Sequence, residues 1–169
     1  MPVSRAANSD TFNATTPSDR EITLTRLFDA PVELVFEAMT KPEHVQRWWG
    51  ILDDTYSVTH CEIDLRPGGK WKFVGGTPRG EVCFYGEYRE IDAPGRIVCT
   101  EIFAPFPDEV SVVTQTLVKE GSKTRLTVTA RYSSREVRDM VLGTGMERGA
   151  AISYDRLDEV ASALQASRG

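Results

Sequence analysis

Apolar and polar residues alternate through most of the middle of the chain, a pattern typical of strands that bury one face. Seven segments show it: Glu21–Phe28, Ser57–Leu65, Lys70–Val74, Glu81–Ile91, Ile97–Phe103, Val110–Val118 and Thr124–Tyr132. Short turns that contain Gly, Pro or Ser separate the last six segments. We therefore expect these strands to pair with their sequence neighbours in antiparallel fashion.

Three shorter stretches carry helical signals. Residues 31–39 have apolar positions three and four apart after a proline, and residues 42–49 begin with a second proline and end at a glycine. Ser134 is a suitable N-cap for a helix that runs to about Leu142. Two small helices are thus predicted after the first strand, and one after the last.

The chain ends in a longer amphipathic helix over Met146–Ser167. Its apolar stripe consists of Ala150, Tyr154, Leu157, Ala161 and Leu164. The start of this helix is small, with Gly or Ala at five positions between 143 and 151. Such a helix either approaches a sheet very closely or leaves a space beneath it. We expect a space, because large side chains return only further along, and a space under a closing helix is a binding site.

The order of these elements predicts an α+β domain in which a curved antiparallel sheet of about seven strands wraps around the C-terminal helix. Only that helix is long enough to cover one face of the sheet. We expect a single domain over residues 20–169. Residues 1–19 are rich in Ser, Thr and Asn without periodicity, so we expect a disordered tail there.

Composition narrows the function. A net charge of −5 argues against binding to nucleic acid or to an anionic membrane, since both require a basic face. No apolar stretch approaches the length of a membrane span, and the tail lacks the apolar core of a secretory signal. Cys61, Cys83 and Cys99 lie in separate predicted strands, which suits reduced thiols in a cytoplasmic protein. We expect a monomer or a homodimer.

Four stretches of the sequence, taken with this order of elements, are similar to a known family: FDAPVELVFEAMTKPEHVQRWWG, EIDLRPGGKWKF, GEYREIDAPGRIVCTEIF and SREVRDMVLGTGMERGAAISYDRLDEVAS. Residues 20–166 closely resemble the activator-of-heat-shock-ATPase-homologue-like branch of the START/SRPBCC superfamily. The resemblance implies the helix-grip fold, like that of the birch pollen allergen. It also implies a deep apolar cavity between the sheet and the final helix.

The resemblance suggests three hypotheses for function. Members of the superfamily bind lipids, sterols and polyketide-like aromatic molecules, so the first hypothesis is binding of a small hydrophobic ligand, aromatic or lipid-like. Some members are cyclases or aromatases, and the second hypothesis is a cyclase, dehydratase or hydrolase that needs no cofactor. The branch is named for a domain of a eukaryotic co-chaperone, so the third hypothesis is a protein-interaction module.

Aromatic residues at matching positions of neighbouring strands are the candidates for the cavity wall. Trp71 and Phe73 share a strand face, as do Phe84 and Tyr88. Of the adjacent Trp48 and Trp49, one is expected to pack the small helices, while the other is either partly exposed or lies at the cavity mouth. The predicted lining is Trp49, Trp71, Phe73, Phe84, Tyr88, Phe103, Met146, Ala150 and Tyr154.

Arg26 and Glu101 each fall among apolar neighbours on their own strands, where an isolated charge is costly. We expect them to pair or to share one cavity. Burial and a nearby arginine would change the pKa of the carboxyl group, so both are also candidates for acid–base catalysis. His60 and Cys61 point to opposite faces of a strand, and only two histidines are present, so we predict neither a metal site nor a cofactor.

Overall fold

The computed structural model describes residues 11–168. Within that range it contains eight strands and four α-helices. The strands are β1 (Phe12–Thr15), β2 (Glu21–Phe28), β3 (Ser57–Ile63), β4 (Lys70–Thr77), β5 (Gly80–Asp92), β6 (Arg96–Phe103), β7 (Val110–Glu120) and β8 (Lys123–Arg131). The helices are α1 (Val32–Thr40), α2 (Pro42–Val45), α3 (Arg135–Gly143) and α4 (Met146–Arg168).

The strands form one antiparallel sheet in the order β1-β2-β8-β7-β6-β5-β4-β3. From β3 to β8 each strand pairs with its sequence neighbour, which confirms the predicted meander. The chain closes the arrangement by pairing β8 with β2. The long α4 covers one face of the curved sheet, so the predicted α+β fold, a sheet that grips a helix, is confirmed.

The prediction of a disordered tail over residues 1–19 is wrong for residues 12–15. These residues form β1, which pairs with β2 and places Phe12 opposite Arg26. Phe12 and Ala14 are each only 2% exposed, because their side chains enter the core. The alternation is too short to stand out among Thr and Asn in the sequence. The sheet has eight strands rather than about seven, and residues 1–10 lie outside the described residues.

The apolar stripe predicted for the C-terminal helix faces the core. Leu157 and Ala161 are fully buried, while Ala150, Tyr154 and Leu164 pack against the core and stay partly accessible. The backbone of α4 lies close to α1, α3 and β2 and stands further from the middle strands of the sheet.

Hydrogen bonds fasten both ends of the helical segment. Both Nη atoms of Arg168 donate to the carboxylate of Glu37 on α1, at 2.7 and 2.8 Å, and this lowers the pKa of Glu37 to about 2. Ser134 caps α3 as predicted, its Oγ accepting from a backbone N–H at 3.2 Å. Arg138 is buried and donates to the backbone oxygen of Ser18.

The second small helix is shorter than predicted, because it ends at Val45 and turns follow. Trp48 lies in these turns and is buried. Its indole N–H donates to the backbone oxygen of Ala38 at 2.9 Å. This bond anchors the turn to α1 and leaves the neighbouring Trp49 to lie over the sheet.

Candidate functional site

An unbroken series of ring contacts extends along the inner face of β4, β5 and β6. We call it the aromatic run; in order of contact it consists of Trp71, Phe73, Trp49, Phe84, Phe103 and Phe106. Neighbouring ring centroids are between 4.9 and 6.1 Å apart. Aromatic rings in this range attract one another and present flat apolar surface.

The aromatic run leads from the core to the surface. Trp71 is buried at its inner end, and Phe106 is 51% exposed at its outer end. The four rings between them are partly accessible, although the three on β4, β5 and β6 belong to the face of the sheet that α4 covers. The helix and its flanking turns therefore do not seal this part of the sheet.

Trp49 lies across the run from the helical side. A Cβ on Gly75 would stand 3.3 Å from the Trp49 ring, so this glycine lets the indole lie directly on β4. The turn that carries Trp49 is held to α4 by a hydrogen bond from the N–H of Gly50 to Oγ of Ser153, at 3.1 Å. Of the two adjacent indoles, Trp48 is thus the packing residue and Trp49 the one that is partly accessible.

Trp71 is positioned by a glycine on the neighbouring strand. Gly86 pairs with Trp71, and a Cβ on Gly86 would stand 1.8 Å from the backbone oxygen of Thr100. Without that side chain, the indole crosses β5 and donates to the same oxygen at 3.1 Å. Gly86 and Thr100 thus fix the inner end of the aromatic run.

A second aromatic group lies beneath the middle of α4. The ring of Tyr154 lies 6.1–6.4 Å from the rings of Phe12, Phe28 and Trp48. Burial raises the pKa of the Tyr154 hydroxyl, and the charge of Glu101 adds to this effect. Within residues 11–168 that hydroxyl has no hydrogen-bond partner.

Glu101 projects from β6 on the same face as Cys99 and Phe103. Its carboxyl group makes no hydrogen bond or ion pair with any residue in the described part of the chain. Burial raises the pKa of this carboxyl from its ordinary 4.5 to about 7, yet the residue keeps some accessible surface. Glu101 is thus an unpaired carboxyl group on the inner face of the sheet that keeps some accessible surface.

Tyr132, which follows β8, is a site residue that sequence reasoning missed. Burial raises the pKa of its hydroxyl, and so does the charge of Glu101. The charge of Glu101 thus acts on the hydroxyl groups of both Tyr132 and Tyr154. The sequence did contain a signal for Tyr132. Every second residue of a strand lies on the same face, and Tyr132 continues the inward series of Val128 and Ala130.

The helix contributes a second acidic residue. Glu147 lies about two turns before Tyr154 on the same side of α4. It is 8% exposed, and its Oε2 is buried with no hydrogen-bond partner among the described residues. A buried carboxylate oxygen without a donor is costly, so a group that donates to it would be stabilising.

The predicted pairing of Arg26 with Glu101 is wrong. Arg26 is 7% exposed and directs its guanidinium group toward α4, where it pairs with Asp155 and lies 3.4 Å from Asp158. The guanidinium carbon also lies 5.3 Å from the centroid of the Phe28 ring. Parity placed Arg26 on a buried face, but it could not show that two carboxylates of α4 cover that part of β2.

The remaining predicted lining residues also lie at the core. Tyr88 is buried, and Met146 and Ala150 are partly buried against the core. Two open surface depressions, of about 450 and 300 Å³, lie elsewhere, at the β3–β4 hairpin and beside Arg20 and Arg131. Neither is lined by the aromatic run. Between residues 11 and 168 no three His, Cys, Asp or Glu residues form a group that could hold a metal ion.

Residues 29–162 match the profile of the family described as Activator of Hsp90 ATPase homolog 1-like protein. The match spans most of the chain. This chain belongs to that family. No curated protein matches the sequence.

Solved structures support the fold of this member of the Activator of Hsp90 ATPase homolog 1-like family. A protein from Rhodobacter sphaeroides superposes with a TM-score of 0.82 at 24% identity, over 90% of this chain and 99% of that one. Protein Ms6760 from Mycobacterium smegmatis gives 0.76 at 26% identity, over 88% and 96%. DynU16, a protein in the dynemicin biosynthetic locus, gives 0.66 at 22% identity, over 85% of this chain and 47% of that one. The helix-grip fold predicted from the sequence is confirmed.

The part of this family member that the structure describes contains no helix long and apolar enough to cross a membrane.

Proposed function

We propose that this protein binds a small hydrophobic molecule, aromatic or lipid-like, between the sheet and the first half of α4. The aromatic run carries this proposal, because its rings lead from buried Trp71 to exposed Phe106 along a face that is not sealed. A flat apolar ligand that stacks on these rings would leave water and gain ring contacts. Membership of a family within the START/SRPBCC superfamily supports the same function.

The small residues at the start of α4 support a ligand at this place. A Cβ added to Gly149 would meet no atom nearer than a carbon of Leu52 at 3.9 Å. Ala150 follows it on the partly buried side of the helix. Small side chains here, together with a helix backbone that stands away from the middle strands, provide room for a ligand without unfolding the helix.

N-phenyl-1-naphthylamine, an uncharged aromatic dye that fluoresces when it leaves water, tests the proposal. We expect a saturable rise in fluorescence with the wild-type protein. Ala150→Phe should abolish the rise, because its added ring would occupy the space beneath α4. Ala163→Phe places the same ring on the exposed side of the same helix and should bind the dye as the wild type does.

Thermal unfolding of both variants establishes that each is folded when it is titrated with dye. No saturable signal from the wild-type protein would contradict the proposal. Undiminished binding by folded Ala150→Phe would contradict the position of the ligand beneath α4. A loss of binding by Ala163→Phe as large as that by Ala150→Phe would do the same.

Glu101 supports a second candidate function, acid–base catalysis without a cofactor. A carboxyl group with a pKa of about 7 on the inner face of the sheet can exchange protons near neutral pH. 5-Nitrobenzisoxazole is a suitable probe: a base removes the proton at C3, the N–O bond breaks, and coloured 2-cyano-4-nitrophenolate forms. We expect the wild type to accelerate this ring opening and Glu101→Gln not to, whereas equal rates would count against catalysis.

A further inference from the structure

Some buried charged side chains of the domain have hydrogen-bond or ion-pair partners, and others have none. Among the described residues, the charged side chains classed as buried are Arg26, Arg138 and Glu147. Both arginines are held by oxygen atoms of other residues. Glu147 has a buried Oε2 without a partner, and the carboxyl group of Glu101 has no hydrogen-bond or ion-pair partner within the described chain. At the carboxyl groups of Glu101 and Glu147 the unmet electrostatic demand is therefore for positive charge.

The other polar groups at this place cannot meet that demand. The hydroxyls of Tyr132 and Tyr154 can donate or accept hydrogen bonds, but neither carries a positive charge at neutral pH. Arg156 on α4 has a buried Nε without a partner, but its charge acts on Asp53, on the side of the helix away from Tyr154. The groups around Glu101 thus include no cation that belongs to the described protein.

We infer that the ligand carries an amine, positively charged at neutral pH, on an aromatic body, with the ammonium group beside Glu101 and the rings against the aromatic run. This inference deepens the proposed function and rests on it. An ammonium group donates up to three charge-assisted hydrogen bonds, which suits a carboxylate and two tyrosine hydroxyls. Aromatic faces also attract cations, and most strongly those of Trp.

The same geometry disfavours anionic ligands. A carboxylate or phosphate group beside Glu101 would meet negative charge, and within residues 11–168 no arginine or lysine pairs with the Glu101 carboxyl group. A neutral ligand of the same shape would retain the ring contacts and lose the charge-assisted bonds. The charge of the ligand should therefore decide affinity among molecules that share one aromatic body.

Three probes with the same indole ring test this ordering: tryptamine, which is cationic at pH 7.5, indole-3-ethanol, which is neutral, and indole-3-acetate, which is anionic. We expect isothermal titration calorimetry of the wild-type protein to show at least about tenfold tighter binding of tryptamine than of indole-3-ethanol. Indole-3-acetate should bind most weakly of the three.

Glu101→Gln keeps the size of the side chain and removes its charge. This variant should bind tryptamine and indole-3-ethanol with nearly equal affinity. Glu81→Gln, a control at an exposed position of β5, should keep the full preference for tryptamine.

Two results would overturn the inference: no preference for tryptamine in the wild-type protein, or a preference that survives in Glu101→Gln. Absence of binding by all three indoles would also overturn it. The uncharged dye distinguishes failure of this inference from failure of the proposed function. If the wild-type protein binds the dye but shows no preference for tryptamine, only the amine is refuted. If it binds neither the dye nor tryptamine, the binding function itself is refuted.

Discussion

Replacing Glu101 with Gln should stabilise the protein at alkaline pH and leave its stability unchanged at acid pH. The pKa of this carboxyl is about 7 in the folded protein, against an ordinary value of 4.5 in the unfolded chain. Below pH 4 both states are protonated, so Glu and Gln are equivalent. As the pH rises from 4.5 through 7, the unfolded chain releases its proton first, and the wild type loses stability that the variant keeps.

The size of the effect follows from the two pKa values. At roughly 1.4 kcal/mol per pH unit, a pKa raised from 4.5 to about 7 corresponds to about 3 kcal/mol of the free energy of unfolding above pH 8. This is an upper figure, because Glu101 keeps some accessible surface and water there lowers the cost of its charge. A domain typically unfolds at about 5–15 kcal/mol, so the change is readily measurable.

Urea unfolding, followed by circular dichroism, measures the difference in the free energy of unfolding between Glu101→Gln and the wild type. The two pH values, 4 and 8, lie on either side of the isoelectric point of about 5.1. We expect Glu101→Gln to match the wild type at pH 4 and to exceed it by up to about 3 kcal/mol at pH 8. Glu81→Gln, at an exposed position, should match the wild type at both pH values. Equal stability of Glu101→Gln and the wild type at pH 8, or the same gain at both pH values, would refute burial of an unpaired carboxyl.

Three further perturbations test the packing around the site. Arg26→Met should lower the free energy of unfolding by about 2 kcal/mol, and Asp158→Asn should lower it little once Arg26 is absent. Urea unfolding of the single and double variants measures this, and additive losses would contradict their pairing. Gly86→Ala should destabilise the protein by at least about 2 kcal/mol, since its Cβ would stand 1.8 Å from a backbone oxygen. Gly143→Ala, whose Cβ would meet no atom within 4 Å, should be neutral or slightly stabilising. Equal melting temperatures of the two variants would exclude the close approach at Gly86. Tyr154→Ala should cost about 3–5 kcal/mol and Tyr154→Phe less than about 1 in thermal unfolding, and a loss below about 1 for Ala would mean that the ring is not packed.

Local periodicity allowed the order of the elements to be predicted from the sequence. The repeat of two along strands and of 3.6 along helices depends only on residues close in sequence, so the inward faces of β6 and α4 were predicted correctly. Ser134 as a helix cap is equally local, because its hydrogen bond reaches only three residues along the chain. The aromatic candidates of the site belong to the same class, since they are inward positions of consecutive strands.

The tertiary structure alone decided which side chains meet. Parity placed Arg26 on a buried face, yet its partner Asp155 lies 129 positions further along the chain. The four residues of β1 gain their stability by pairing with β2 and by burying Phe12 against Tyr154, and neither contact is visible in a short polar segment. The charge of Glu101 likewise acts on Tyr132 and Tyr154 only when the sheet curves around the helix. A sequence period shows which face a residue occupies, whereas what covers that face depends on contacts between distant segments that only the folded chain makes.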